Sequence, residues 1–498
     1  MADTGQTTNA STQATLKGAA GKNGQNGLRV EKRSGDYATN AVQADNNAKT
    51  LNSQLPDDTK GFDDSDKGWF GYHLTTGIFA TAVGGKGGHG GDGGPGGNVI
   101  GNGTAGDGGD GGDGGIGGDA ASFIYNASVP AGNGNDKIAL FSTAIGGKGG
   151  DGGRGGMGGS VFGNGTAGDG GDGGDGGNGG SAWANILDTS INAGAGHDWI
   201  GLFAKAVGGS GGDGGRGGRP GFSGGGTAGS HGADGNGGTA DALIQGMNVD
   251  GGQGNDYIAI SLAAKAGSAG RGPGPGGVNG SAYVALVDNT FSGGAGNDIF
   301  KLSTYVNPAS STCQISGNKF DGGDGRDLLD LSSLSVKAIV NLAACTLAFG
   351  SQPSANANTI FSIEEIVGTK YADQFVLAGS GARVAGGSGG DSFQLAAGAN
   401  GKADVIADFS RSGGDKLIVD ADDFGQGLKA GSPIYLATVK DKSMAQKAGA
   451  GGYFIYDTDG KDDGTLYFDP TGGKGDDAFS VAFLSNKASL SAYDFVVV

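Results

Sequence analysis

Six short stretches carry the residues most able to do chemistry. They read AGNGNDKIA from Ala131, AGAGHDWIG from Ala193, GGQGNDYIA from Gly251, GGAGNDIFK from Gly293, GGDGRDLLD from Gly322 and GGSGGDSFQ from Gly386. Each places glycines at fixed positions before an aspartate: Asp136, Asp198, Asp256, Asp298, Asp327 and Asp391. Glycine permits a tight turn that aims backbone carbonyls inward. The carboxylate adds a hard anionic oxygen, the donor type that Ca²⁺ takes. Two positions later comes an apolar residue (Ile138, Ile200, Ile258, Phe300, Leu329, Phe393) suited to a core. The copies lie 29 to 64 residues apart, so a shared cation requires the fold to stack them in space.

The elements that would position these turns are strands. TGIFATAVGGKGG from Thr76, IALFSTAIGGKGG from Ile138 and IGLFAKAVGGSGG from Ile200 are half-apolar runs that feed into glycine tracts. Alternation of this kind predicts half-buried strands. A second strand is expected after each tract, at Ala121, Ser181, Asp241 and Ser281. The tract VIGNGTAGDGGDGGDGGIGG from Val99 returns almost unchanged, 62 residues on, at Val161. On either side of VIGNGTA every third residue is not glycine. Lys86, His89, Asp92, Pro95 and Asn98 lead out; Asp107, Asp110, Asp113, Ile116 and Asp119 lead back. A period of three belongs to a polyproline-II-type helix rising about 3.1 Å per residue. Five triplets then make an arm roughly 45 Å long. The strict phase points to hairpins of polyglycine-II helices that pack on one another. Lys and Arg on outgoing legs face Asp on return legs, which suggests pairing between neighbouring legs.

The composition sets outer limits. Of 498 residues 115 are glycine and only 10 are proline, against collagen. The net charge of −18 opposes nucleic acid and anionic membranes as partners. No run reaches the roughly 18 apolar residues of a membrane span. Cys313 and Cys345 are either a disulfide or two free thiols. No secretory leader stands at the N-terminus, so an exported chain would need another signal.

From Phe291 onward the chain resembles the hemolysin-type calcium-binding (RTX) proteins exported by type I secretion. The nonapeptide G-G-x-G-x-D-x-U-x carries the resemblance. So do SIEEIVGTKYADQFVLAG at Ser362, ADVIADFSRSGGDKLIVDADDFG at Ala403, FIYDTDGKDDGTLYFDP at Phe454 and the final SAYDFVVV. It covers roughly the last 200 residues and none of the glycine arms. It implies Ca²⁺ held by Asp136, Asp198, Asp256, Asp298, Asp327 and Asp391. Asp250 and Asp321 would support them, and Asp404, Asp408 and Asp415 would hold a further ion. It also implies an uncleaved C-terminal export signal and an extracellular or cell-surface location. The family repeats its nonapeptide in tandem, whereas each copy here stands alone.

No catalytic set is present. His73, His89, His197 and His231 are not followed by Glu, which removes the H-E-x-x-H protease motif. GGSGG at Gly208 and Gly386 fits a hydrolase elbow only as glycine-rich chance, and the sequons at Asn102 and Asn164 suit turns. The expected fold is all-β: a parallel β-roll or solenoid with calcium turns, bearing inserted polyglycine-II hairpin arms. The expected divisions are a polar segment at 1–60 serving as an assembly arm and an arm-bearing solenoid at 61–290. A calcium-binding roll at 291–425 and a C-terminal cap at 426–498 follow. The expected function is a secreted structural subunit, not an enzyme, that polymerises head to tail in a filament or surface layer. An adhesin or ice-binding module with a polyglycine face is the alternative, with cell-surface polysaccharide as a candidate partner.

Overall fold

A computed structural model describes residues 10–17, 76–307, 312–350, 357–397, 402–440, 453–471 and 477–498. The expected polar segment at 1–60 lies outside the described residues apart from Ala10–Lys17. The described chain is almost entirely β. Its one α-helix is the single turn Ala421–Phe424. Three large sheets hold 14, 5 and 12 strands.

Each repeat adds one strand to each sheet. In the longest sheet Thr76–Val83, Lys137–Ile145, Trp199–Val207, Tyr257–Lys265 and Ile299–Asn307 lie side by side, all parallel. The register aligns Ile138, Ile200, Ile258 and Phe300. These residues and Leu329 and Phe393 are fully buried, as the apolar position after each aspartate requires. Ala120–Tyr125, Ala182–Leu187, Ala240–Gln245 and Ala282–Val287 form the second sheet in the same order. Ser128–Pro130, Ser190–Asn192, Asn248–Gln253, Thr290–Ala295 and Lys319–Asp324 begin the third. Parallel pairing runs on through position 290 without a break. Strand Ala10–Lys17 adds to the edge of the longest sheet, parallel to Thr76–Val83.

The core between the sheets is thin at first and thickens along the chain. Alanines such as Ala182, Ala184, Ala240 and Ala242 fill the early layers. Phenylalanines take over later: Phe291 stacks on Phe320 at 5.3 Å and Phe375 on Phe393 at 5.3 Å. The corner between second and third sheets needs a left-handed residue, supplied by Asn126, Asp188, Gly246, Asp288 and Gly317. Behind it buried Asn289, Asn318 and Asn358 form a ladder, each amide bonded to the next layer.

The glycine tracts leave between a strand of the longest sheet and the next strand of the second. Their order is visible in the hydrogen bonds. Gly87 N–H donates to the Lys148 carbonyl at 2.8 Å and Gly90 N–H to Asp151 at 2.9 Å, leg to equivalent leg. Gly115 N–H donates back to Gly88 at 2.7 Å, and Gly150 N–H to Gly115 at 2.7 Å. Within legs 106–118, 146–159 and 168–180 both glycine amides of a triplet are thus satisfied by neighbouring legs, as buried backbone demands. The third amide points outward and is capped where the neighbouring leg offers Asp, Asn, His or Ser. Asp172 N–H donates to Asp110 Oδ1 at 2.8 Å, and Ser230 N–H to Asp172 Oδ1 at 2.7 Å. This corrects the expected charge pairing: the return-leg aspartates hold amides, while Lys148 pairs with Asp151 on its own leg at 3.1 Å.

The bundle tapers, and its last layer is closed by side chains. Asp234 Oδ1 accepts from Gly214 and Gly272 N–H at 2.9 and 2.6 Å, and His231 Nδ1 from Gly217 at 3.0 Å. At the C-terminal end Tyr453–Asp457, Thr465–Asp469 and Phe479–Leu484 pair antiparallel around Phe424, Phe454 and Phe468. Phe495–Val497 completes the third sheet beside Lys416–Val419. Cys313 and Cys345 are free thiols.

Candidate metal centre

The aspartates of the glycine turns stack because the strands that follow them stack. Trp199 pairs with Lys137 and Tyr257, so the residue before each strand falls into a column. Asp198 Oδ1 accepts the Asp136 amide at 2.6 Å, Asp256 Oδ1 that of Asp198 at 2.7 Å, and Asp298 Oδ1 that of Asp256 at 2.7 Å. Asp327 Oδ1 accepts the Asp298 amide at 2.7 Å. Glu364 ends the column by accepting the Asp327 amide at 2.9 Å. Asp391 does not belong to it. It sits in a second column, before strands of the third sheet, where it accepts the Asp373 amide at 2.8 Å and donates to Asp415 at 2.9 Å.

Five of these aspartates, four in the first column and Asp391 in the second, commit one carboxylate oxygen and leave the other without a hydrogen bond. Oδ2 of Asp198, Asp256, Asp298, Asp327 and Asp391 is buried with no hydrogen-bond partner among the described residues. Their residues are at most 3% exposed. An orphaned, buried, anionic oxygen is costly unless something pairs with it. Burial pushes the Asp198 carboxyl up to about 6, with the charges of Asp256 and Asp136 adding to it. Burial likewise pushes Asp298 up to about 6 and Asp391 up to about 7, again with neighbouring aspartates adding. Asp256 and Asp327 are raised too, first by burial, then in part by Asp250 and Asp321 respectively.

A carbonyl from the next layer converges on the orphans of Asp256, Asp298 and Asp327. A Cβ built on Gly251 would lie 2.5 Å from the Gly293 carbonyl oxygen and 2.7 Å from Asp256 Oδ2. One built on Gly293 would meet Asp298 Oδ2 and lie 2.6 Å from the Gly322 carbonyl. These glycines leave a cradle lined by oxygen, which any larger residue would fill. The donor set suits a hard divalent cation. Among the described residues no three His, Cys, Asp or Glu side chains gather, so a cation held here would need carbonyls as its remaining protein ligands.

One layer provides an internal comparison. Gly368 to Asp373 repeats the spacing of Gly386 to Asp391, but Thr369 replaces the second glycine and Tyr371 the third. There Asp373 Oδ2 accepts the Thr369 amide and Oδ1 its hydroxyl at 2.8 Å. Where the glycine motif is lost, protein donors fill the carboxylate. That spacing was the signal for Asp373; nothing in the sequence marked Glu364.

The other expected ligands are placed differently. Asp404 accepts five amides, Ala378 to Ala382, at 2.7 to 3.0 Å and anchors that loop. Asp415 accepts from Asp391 and Ser410, and Asp408 from Gly386 and Gly387. Asp321 pairs with Lys319 at 3.0 Å. Asp250 is half-buried beside the first column. No helix of the described residues is long and apolar enough to cross a membrane. No protein-family model matches the chain, and no curated protein does either.

Proposed function

We propose that this chain is a secreted, calcium-stiffened structural subunit of the RTX kind, without enzymatic activity. In this reading the three sheets wind as a β-solenoid, and the glycine tracts are polyglycine-II hairpins carried on its layers. The observation that carries the reading is the contrast between layers. Where Gly251, Gly293 and Gly322 lead the turn, a buried carboxylate oxygen faces a next-layer carbonyl and has no hydrogen-bond partner among the described residues. At Thr369, where the glycine motif is lost, the oxygen is occupied. A Ca²⁺ at each orphan would tie the aspartate of one layer to a carbonyl of the next. Export would use the C-terminal end, and polymerisation head to tail would join the sheet edge at Ala10–Lys17 to the far end of another copy. Exposed edges of this kind template pairing.

The test is a Ca²⁺ titration of the purified protein, followed by circular dichroism and thermal melting. Binding only to the folded state raises the melting temperature. Identical melting in Ca²⁺ and in EGTA sinks the metal reading. An adhesin is the second reading, favoured by three large apolar residues at the arm tips. Ile100, Phe162 and Phe222 are 89%, 66% and 76% exposed. Electron microscopy in Ca²⁺ separates the two: ordered fibres or layers support the subunit, dispersed single particles the adhesin.

A further inference from the structure

The glycine arms form a slab whose two broad faces carry opposite charge. The return face bears Asp107, Asp110, Asp113 and Asp119 on its first leg and Asp169, Asp172 and Asp175 on its second, with no Lys or Arg. The outgoing face bears Lys86, Lys148, Arg154, Arg216, Arg219 and Arg271 against three aspartates, Asp92, Asp151 and Asp213. Both faces present the same lattice, one side chain per triplet and one leg per layer, because each third amide points outward. The acidic side chains are held in place rather than free: Asp107, Asp110 and Asp113 each accept an amide of the next leg at 2.8 Å. Each face also exposes an apolar residue, Ile116 on the return side at 45% and Met157 on the outgoing side at 48%.

We propose that the acidic face of one copy's arms docks on the basic face of a second copy's arms, side by side. Charge complementarity selects the occupant, since the return face carries aspartates without Lys or Arg and the outgoing face six basic side chains against three aspartates. The area is sufficient. An arm about 45 Å long and three legs deep, at about 4.8 Å per leg, offers roughly 600 Å² per partner. The pair then buries about 1,200 Å², the low end of specific interfaces. Two different faces meet, so the contact is heterologous and continues from copy to copy. Together with the end-to-end contact proposed above, on which the layered form rests, side-by-side docking extends a filament into a sheet.

The test uses the full chain with Asp107, Asp110 and Asp113 changed to Asn. Asn keeps an oxygen for the outward amide, as Asn178 does for Asn236 at 2.8 Å, so arm order and melting should be unchanged. Side-by-side association, measured by sedimentation in 50 mM NaCl, should weaken at least tenfold in the variant. The wild type should weaken as much in 500 mM NaCl, where the screening length falls to a few Å. Equal association of variant and wild type overturns the proposal. So does wild-type association that ignores salt, or a wild type that binds polylysine but not itself. Electron microscopy keeps the two contacts apart. Filaments without lateral contact overturn the docking of arms but leave the end-to-end contact standing. Lateral rafts of short particles support the docking and sink the end-to-end contact; dispersed particles sink both.

Discussion

Asp298 holds the Asp256 amide with Oδ1 and leaves Oδ2 buried without a hydrogen bond. This arrangement sets a direction for pH. The folded carboxyls of Asp198 and Asp298 titrate at about 6 and that of Asp391 at about 7, above the ordinary 3.8. A raised acid favours the protonated folded form. In metal-free protein its contribution to stability is full below about pH 4 and is lost as pH rises through 6 to 7. Urea unfolding in EGTA should therefore show falling stability from pH 4.5 to pH 8. Calcium favours the ionised form, so its stabilising effect should grow over the same window. Asp298→Asn keeps the amide cap and removes the buried charge. At pH 8 it should stabilise metal-free protein by on the order of 2–3 kcal/mol and shrink the Ca²⁺-dependent gain. Unaltered metal-free stability would show that the Asp298 charge is already balanced. The aspartates were legible in the sequence because G-x-G-x-D repeats before an apolar residue. Their division was not. Spacing does not say which sheet a turn precedes, and Asp391 looks like the other five until Gln374, Ser392 and Lys416 are seen to pair.

At the scale of the arm, period three was legible and the work of its third residue was not. Charge alternation in a sequence suggests ion pairs, but backbone amides left outward by the glycine pattern compete for the same carboxylates, and they win here. The two glycines of a triplet have different surroundings in different layers, which gives a paired prediction. Gly153→Ala would place a methyl carbon 2.6 Å from the Gly91 carbonyl carbon and against its oxygen. Gly94 lies on the outer face of the first leg, with nothing within 4 Å of an added Cβ. Amide hydrogen exchange should show lost protection across legs 84–119 and 146–181 in Gly153→Ala and none in Gly94→Ala. Melting of Gly94→Ala should stay within about 0.5 kcal/mol of the wild type. Equal protection in both would mean that the legs do not pack as closely as their hydrogen bonds require.

Over the whole molecule the layers are joined by contacts that all run from one turn to the next, and the turns differ in length. The hydrogen bonds from Asp136 to Asp198, Asp198 to Asp256, Asp256 to Asp298 and Asp298 to Asp327 span 62, 58, 42 and 29 residues. Under tension each layer therefore stores a different length of hidden chain. At about 3.5 Å per residue, detaching successive layers frees about 220, 200, 150 and 100 Å. Pulled by its ends in an optical trap, the protein should give way in steps of these sizes, longest where the arms are longest. Each step should need more force in Ca²⁺ than in EGTA. A single rip of the full contour would mean that the layers fail together. A graded staircase would make the chain an extensible shock absorber, with the glycine arms as its reserve of slack.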